Sequence, residues 1–70
     1  NDSFRAAETI KSGETTVTVT KNWSSAPVSV TASASYDTYV WITNINQNGF
    51  TLNVKNASLQ ESKIYWTAIW

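Results

Sequence analysis

The chain contains no cysteine and no histidine, which removes several common kinds of protein chemistry. Without cysteine there is no disulfide and no thiolate nucleophile, and without either residue there is no ordinary zinc site. Histidine-based acid–base catalysis is excluded for the same reason. The five acidic residues never pair locally in the sequence. We therefore predict no catalytic residue, no metal site and no cofactor, and we predict that the protein is not an enzyme.

Charge is scarce and balanced, with five basic and five acidic residues and a formal net charge of zero. Because no basic cluster exists, we expect no binding to a nucleic-acid backbone. No apolar run approaches the ~20 residues that cross a bilayer, so we expect no membrane insertion. Methionine is also absent, so we expect the chain to begin inside a longer product or after processing.

The length of the chain, 70 residues, is near the lower limit for independent folding. A domain of this size buries only about 60% of the surface that its unfolded chain exposes. Disulfides and a structural zinc, which usually stabilise such small domains, are excluded here. Self-association is the remaining common remedy, and the sequence therefore predicts a homo-oligomer.

Alternation of apolar and polar residues is the main pattern of the chain, and it predicts half-buried β-strands. No segment has helical periodicity over a useful length. The predicted strands cover residues 6–10, 14–21, 28–35, 38–45, 50–55 and 63–70. Five or six short strands separated by turn residues are typical of an all-β sandwich or barrel.

Turn residues and alternating apolar residues give more specific predictions. Ser12 and Gly13 predict one turn, and Asn48 and Gly49 predict a tight hairpin with positive φ angles. The apolar members of the alternating runs form the predicted core, which consists of Val17, Val19, Val28, Val30, Ile42, Phe50, Leu52, Val54, Ile64 and Trp66.

Two of the predicted strands are apolar on both faces. They lie at residues 39–42 and 64–70. A chain this small has too little interior to cover both faces of two strands, so the second face should be covered by another copy or by a ligand. The predicted oligomer interface consists of Tyr39, Trp41, Tyr65, Ile69 and Trp70.

Aromatic residues and sequons are the remaining candidates for binding or modification. Aromatic faces stack on sugars and also dominate protein interfaces. Tyr36, Asp37 and Tyr39 lie where a predicted turn enters the two-faced strand, and they are the best candidates for ligand contacts. Three sequons, which occur at a frequency close to chance, make Asn1, Asn22 and Asn56 possible N-glycosylation sites.

The order of motifs along residues 13–70 resembles the H-type lectin fold family and its relatives at the ends of phage and virus tail-fibre or spike proteins. The motifs that carry the resemblance are Gly13–Thr20 in the run GETTVTVT, Trp23, Ala26-Pro27-Val28, Trp41–Ile45 in WITNI, Asn48-Gly49-Phe50 and Ile64–Ile69 in IYWTAI. The resemblance implies a six-stranded antiparallel β-sandwich that forms a trimer. Residues 1–12 would then be a segment that leads into this domain, or a strand exchanged with a neighbouring copy.

Lectin members of that family bind sugars between neighbouring protomers, but their binding residues do not carry over to this chain. Trp41 stands at the position of the family's arginine, and Ala57 and Ser58 stand near the position of its Trp-His pair. The sequence therefore predicts a non-enzymatic structural or attachment module on a virion surface or in an extracellular setting. The alternatives are a lectin for a cell-surface glycan or another receptor, and a subunit of a microbial extracellular filament assembled by strand exchange.

Overall fold

The structure, a computed structural model, describes residues 2–70. This part of the chain is all-β and contains no helix. Its six strands are β1 (Ser3–Ile10), β2 (Thr16–Thr20), β3 (Ser29–Ala34), β4 (Val40–Asn46), β5 (Gly49–Val54) and β6 (Ser62–Ile69). The prediction of five or six short strands is confirmed, since there are six, with bounds that differ by one to three residues at most ends.

The strands form two antiparallel sheets of three strands each. Sheet A has the order β1-β6-β3, and sheet B has the order β2-β5-β4. The sheets face each other across one core, and we call this two-layer arrangement the sandwich. Ile64, Trp66 and Ala68 of β6 face Phe50 and the other inward residues of β5 across that core.

The register explains which residues face inward. In sheet A, Ala6 of β1 and Ala32 of β3 both lie opposite Trp66, so two small side chains flank the largest one. In sheet B, Val17 and Ile42 lie on either side of Leu52. The fully or nearly fully buried apolar residues are Ile10, Val19, Phe50, Leu52, Val54, Ile64, Trp66 and Ala68.

The prediction that Val28 belongs to the core is wrong. Val28 is 81% exposed. It precedes Ser29, the first residue of β3 paired in register, and its backbone N–H donates to the carbonyl of Ile69 at 2.6 Å. Alternation sets the direction of a side chain only where the strand is paired, so the period could not be extended to Val28. Ile10 and Ala68 are fully buried in the core, although the sequence did not predict them there.

The β4–β5 hairpin is confirmed, but its turn lies one residue earlier than predicted. Gln47 and Asn48 form the turn between Asn46 and Gly49, which are paired with each other. Gly49 has the predicted positive φ, at 127°, whereas Asn48 does not. The second positive φ of the region belongs to Asn44, at 58°, inside a bulge between Thr43 and Asn46. The Asn44 side chain is short and polar, a type that tolerates this backbone conformation.

Strand β1 is longer than predicted and is part of sheet A. The sequence predicted a strand only over residues 6–10, whereas β1 covers Ser3–Ile10 and pairs with β6 over its whole length. Its small and polar residues gave a weak alternation. Pairing with the regular strand β6 supplies the hydrogen bonds that hold Ser3, Phe4 and Arg5 in the sheet.

Candidate assembly surface

Two aromatic residues stand on the outward face of sheet B. Tyr39 and Trp41 are 65% and 42% exposed, respectively. Their rings are nearly parallel, with an interplanar angle of 22° and centroids 5.9 Å apart. Alternation explains their position, because Val40 and Ile42 point into the core. Tyr39 precedes β4 but continues its pairing, since its carbonyl accepts the backbone N–H of Lys55 at 2.9 Å.

Asn53 fixes the backbone beneath this aromatic pair. It lies opposite Trp41 on the central strand β5. Its side-chain amide donates to the carbonyl oxygen of Trp41 at 3.2 Å and to the hydroxyl of Thr43 at 3.0 Å. These bonds tie the edge strand β4 to the central strand. They therefore hold in place the backbone from which the ring of Trp41 projects.

The aromatic pair forms one wall of an open groove between β3 and β4. This β3–β4 groove has a volume of about 490 Å³ and is also lined by Val28, Val30 and Ile45. Val28 and Ile45 are themselves exposed, at 81% and 39%. The misplaced core residue Val28 therefore belongs to an exposed apolar surface together with Tyr39 and Trp41.

The outward face of sheet A carries the second predicted surface. Tyr65 is 50% exposed and Ile69 is 42% exposed, and both belong to the central strand β6. Tyr65 has polar neighbours, since Arg5 and Thr31 line the same shallow hollow. This face mixes apolar and polar groups, whereas the groove wall is mainly apolar.

Trp70 differs from the other four residues of the predicted interface. It is half-buried, and its ring lies 4.7 Å from that of Trp23 at 85°. Its indole N–H donates to the carbonyl of Ser25 at 3.0 Å, and its backbone N–H donates to that of Asp2 at 3.0 Å. Trp70 thus packs within its own chain, while Tyr39, Trp41, Tyr65 and Ile69 point to solvent.

The predicted ligand residues lie in two places. Tyr36 and Asp37 line a hollow of about 430 Å³ with Asn56 and Leu59, at the end of the sandwich opposite Trp70. The hydroxyl of Tyr36 donates to the carbonyl of Asn56 at 2.7 Å, so its proton is already used in a hydrogen bond within the chain. Tyr39 lies apart from them in the β3–β4 groove. The structure therefore does not bring the three residues into one pocket.

Two of the predicted glycosylation sites are exposed in the structure. Asn22 follows β2, and Asn56 follows β5, each outside the regular strands. The third, Asn1, lies outside the described residues.

No pattern in the sequence predicted the aromatic cluster at the end of the sandwich where Trp70 lies. We call it the aromatic end, and it comprises Phe4, Trp23, Phe50, Trp66 and Trp70. The ammonium group of Lys21 lies 4.7 Å from the ring centroid of Phe4 and 5.7 Å from that of Trp66, within the range of cation–π attraction. Trp66 also donates from its indole N–H to the carboxylate of Glu8 at 2.9 Å.

The acidic residues of the described chain are scattered. Among residues 2–70, no group of three or more Asp, Glu, His or Cys could hold a metal ion. Nor does this part of the molecule contain a helix that is long and apolar enough to cross a membrane. The exposed apolar groove is thus the feature of these surfaces that departs most from an ordinary solvated sheet.

Comparison with protein-family models, with curated proteins and with solved structures finds no match to this chain. The resemblance to the H-type lectin fold stays a prediction.

Proposed function

We propose that the domain is a non-enzymatic structural or attachment module that works as an assembly of its own copies on a virion or other extracellular surface. The observation that carries the proposal is the exposed Tyr39–Trp41 pair on the wall of the β3–β4 groove. Large aromatic residues are enriched in protein interfaces, and they combine a large apolar area with few rotatable bonds.

The small core of the domain makes such an assembly favourable. Only eight apolar residues form the buried core, although the chain also exposes Val28, Tyr39, Trp41 and Ile45 around one groove. Burying one large aromatic side chain contributes about 2–3 kcal/mol per copy. For a domain without a disulfide or a metal, a few such contacts are comparable with the whole free energy of unfolding.

The solution mass tests this proposal. We expect the wild-type protein to exceed its monomer mass of 7.8 kDa in sedimentation experiments at micromolar concentration. Trp41→Ser should give monomers, because it removes the braced ring from the groove wall. Leu59→Ser is the matched control, since Leu59 is 97% exposed and does not line the β3–β4 groove. A monomeric wild-type protein would contradict the proposal.

Glycan binding is the second candidate, and the near-parallel rings of Tyr39 and Trp41 favour it. Two aromatic faces side by side can stack on the C–H faces of a sugar, but a pocket normally fixes its ligand with several placed polar groups. We therefore expect calorimetry with galactosamine, galactose and sialylated glycans to show binding no tighter than roughly millimolar, about −4 kcal/mol. Micromolar, saturable binding lost in Tyr39→Ala or Tyr36→Ala would favour a lectin and identify its site.

Strand exchange into a filament is the third candidate. It is supported by the position of β1, which is an edge strand and pairs only with β6 among the described strands. An N-terminal edge strand can leave its own sheet and complete that of a neighbour. Electron microscopy of concentrated protein should then show filaments, and removal of residues 1–10 should abolish them. Discrete closed particles would exclude this form of assembly.

A further inference from the structure

The four edge strands differ in how well they are protected against pairing with another chain. β1 carries the charged residues Arg5 and Glu8, and β4 is interrupted by the bulge at Asn44. β2 is only five residues long, and β3 is a regular strand of six residues without charge, proline or bulge. Charges, prolines and bulges are the usual devices that prevent edge-to-edge association, and β3 has none of them.

The backbone of β3 is oriented for such pairing. Ser35 donates from its backbone N–H to the carbonyl of Lys63 at 2.9 Å, directly beyond the end of β3. Hydrogen-bonded pairs alternate along an antiparallel ladder, so the N–H and C=O groups of Val30, Ala32 and Ala34 point away from β6 toward the open edge. An added strand could therefore form backbone hydrogen bonds with three residues of β3.

The β3–β4 groove distinguishes this edge further. Tyr39, Trp41 and Ile45 line the groove on its β4 side, so a strand added to β3 would lie beside an apolar wall. At the outer edge of β2 the neighbouring side chains include the exposed hydroxyl residues Thr16, Thr18 and Thr20. The edge of β3 therefore offers backbone hydrogen bonds and apolar burial at one place.

We propose that β3 pairs antiparallel with β3 of a second copy across a two-fold axis, which joins two A sheets into one sheet of six strands. This inference rests on the proposed self-assembly and names its contact. Pairing all three outward residues requires Ala32 to lie opposite Ala32 of the partner subunit, and Val30 opposite Ala34 of the partner subunit. Thr31 then lies opposite Ser33 of the partner subunit, which places hydroxyl beside hydroxyl.

A second copy fits this edge better than a charged peptide does. Residues 22–36 contain no charged side chain, so neither strand repels its equivalent and neither attracts a charged partner. A standard interface buries about 800 Å² per partner, close to a fifth of the 4494 Å² surface of the chain. A single strand edge is narrower than that, so we expect Trp41 and Ile45 on the groove wall to be covered as well.

Proline substitution tests the contact without removing a hydrogen bond inside the chain. Ala32→Pro deletes an N–H that points to the open edge, and edge strands tolerate such a proline. Thr18→Pro is the matched control, because the N–H of Thr18 likewise points away from β5 at the outer edge of β2. We expect the wild type and Thr18→Pro to sediment at twice 7.8 kDa. For Ala32→Pro the dimer dissociation constant should rise by at least about tenfold.

Cross-linking tests the register independently of any proline effect on folding. The chain contains no cysteine, so single cysteines are unambiguous. Thr31 and Ser33 of facing copies would form a non-hydrogen-bonded pair with Cα atoms about 4.5 Å apart, a distance that suits a disulfide. Oxidation of mixed Thr31→Cys and Ser33→Cys proteins should give the mixed cross-link, in clear excess over either protein linked to itself.

The possible outcomes separate this contact from the broader function. A wild-type dimer that Ala32→Pro does not weaken, and that gives no mixed cross-link, would overturn the β3 contact and leave the proposed self-assembly intact. A particle of three copies would overturn the two-fold axis in favour of a trimer. A monomer at all accessible concentrations would overturn both proposals. A monomer that binds a glycan more weakly after Ala32→Pro would make a sugar the occupant of the groove.

Discussion

The two ends of the sandwich are closed by different kinds of interaction. At the aromatic end, the ring of Trp23 lies 4.7–6.3 Å from the rings of Phe4, Phe50, Trp66 and Trp70. The angles between its plane and theirs range from 19° to 85°. Rings at such varied angles fill an irregular space and exclude water with little demand on direction.

The opposite end, which we call the hydroxyl end, is held by hydrogen bonds of side-chain hydroxyl groups. Ser58 is 4% exposed, and its hydroxyl bonds that of Ser62 at 2.7 Å and the carbonyl of Gln60. Tyr36 and Ser12 donate to backbone carbonyls of the loop between β5 and β6. An irregular loop leaves carbonyl groups without ladder partners, and hydroxyls satisfy them. Burial of aromatic surface holds one end of this domain together, and hydrogen bonds from hydroxyl groups hold the other.

The two glycines provide the sharpest contrast between these ends. A Cβ at Gly49 would overlap the carbonyl oxygen of Val19 and lie 2.9 Å from its carbonyl carbon. Gly49→Ala should therefore lower the free energy of unfolding by about 4 kcal/mol, from φ strain and displaced backbone together. Gly13 also has a positive φ, at 84°, but a Cβ there would meet nothing within 4 Å.

Gly13→Ala at the hydroxyl end is thus the matched control for Gly49→Ala. We expect it to cost only about 1 kcal/mol, the strain of a left-handed residue. Urea unfolding followed by tryptophan fluorescence measures both losses. Equal losses for the two variants would show that the close approach at Val19 does not exist.

Trp23→Ala tests how much the aromatic end contributes. The substitution removes a half-buried indole that contacts four other rings, so the free energy of unfolding should fall by about 3 kcal/mol. Trp23→Phe should recover more than half of this loss, because buried aromatic area contributes more to stability at this site than hydrogen bonding does. Thermal unfolding by calorimetry is the measurement. A Trp23→Phe variant as unstable as Trp23→Ala would contradict this account of the aromatic end.

Ser58→Ala tests the corresponding feature of the hydroxyl end. The variant leaves the carbonyl of Gln60 and the hydroxyl of Ser62 with fewer partners in a partly buried setting, which should cost about 1–2 kcal/mol. Ser58→Thr keeps the hydroxyl and adds a methyl group. We expect its unfolding midpoint to lie between those of Ser58→Ala and the wild type. If Ser58→Ala unfolds at the wild-type midpoint, the hydroxyl is not required there.

Tyr36→Phe is the smallest change of the series. It removes the bond from the Tyr36 hydroxyl to the carbonyl of Asn56, and the expected loss is about 1 kcal/mol. Tyr39→Phe is its control, because the exposed Tyr39 stands on the groove wall and its substitution should change stability by less than about 0.5 kcal/mol. Chemical denaturation in the Trp41→Ser background, which we expect to be monomeric, separates these effects from assembly.

The sequence predicted what depends on local alternation and missed what depends on distant partners. Val17 and Leu52 point inward as predicted, because the period of a paired strand determines the face. Trp23 lies in a connection without any period, and its burial depends on where β1 begins and where β6 ends. Tyr36 was predicted as a ligand residue from its place in a turn, but its hydroxyl bonds a carbonyl 20 residues away. The bulge at Asn44 likewise left no pattern in the chain.

The position of β6 in sheet A has a consequence for the time course of synthesis. Both β1 and β3 pair with β6, the last strand of the six, and neither pairs with the other. Between Ala34 and Ser62 the ribosome adds 28 residues (62 minus 34), which takes about one to six seconds at 5–20 residues per second. During that interval β3 has two open edges instead of one. Nascent chains on one messenger are therefore most prone to join each other before β6 emerges.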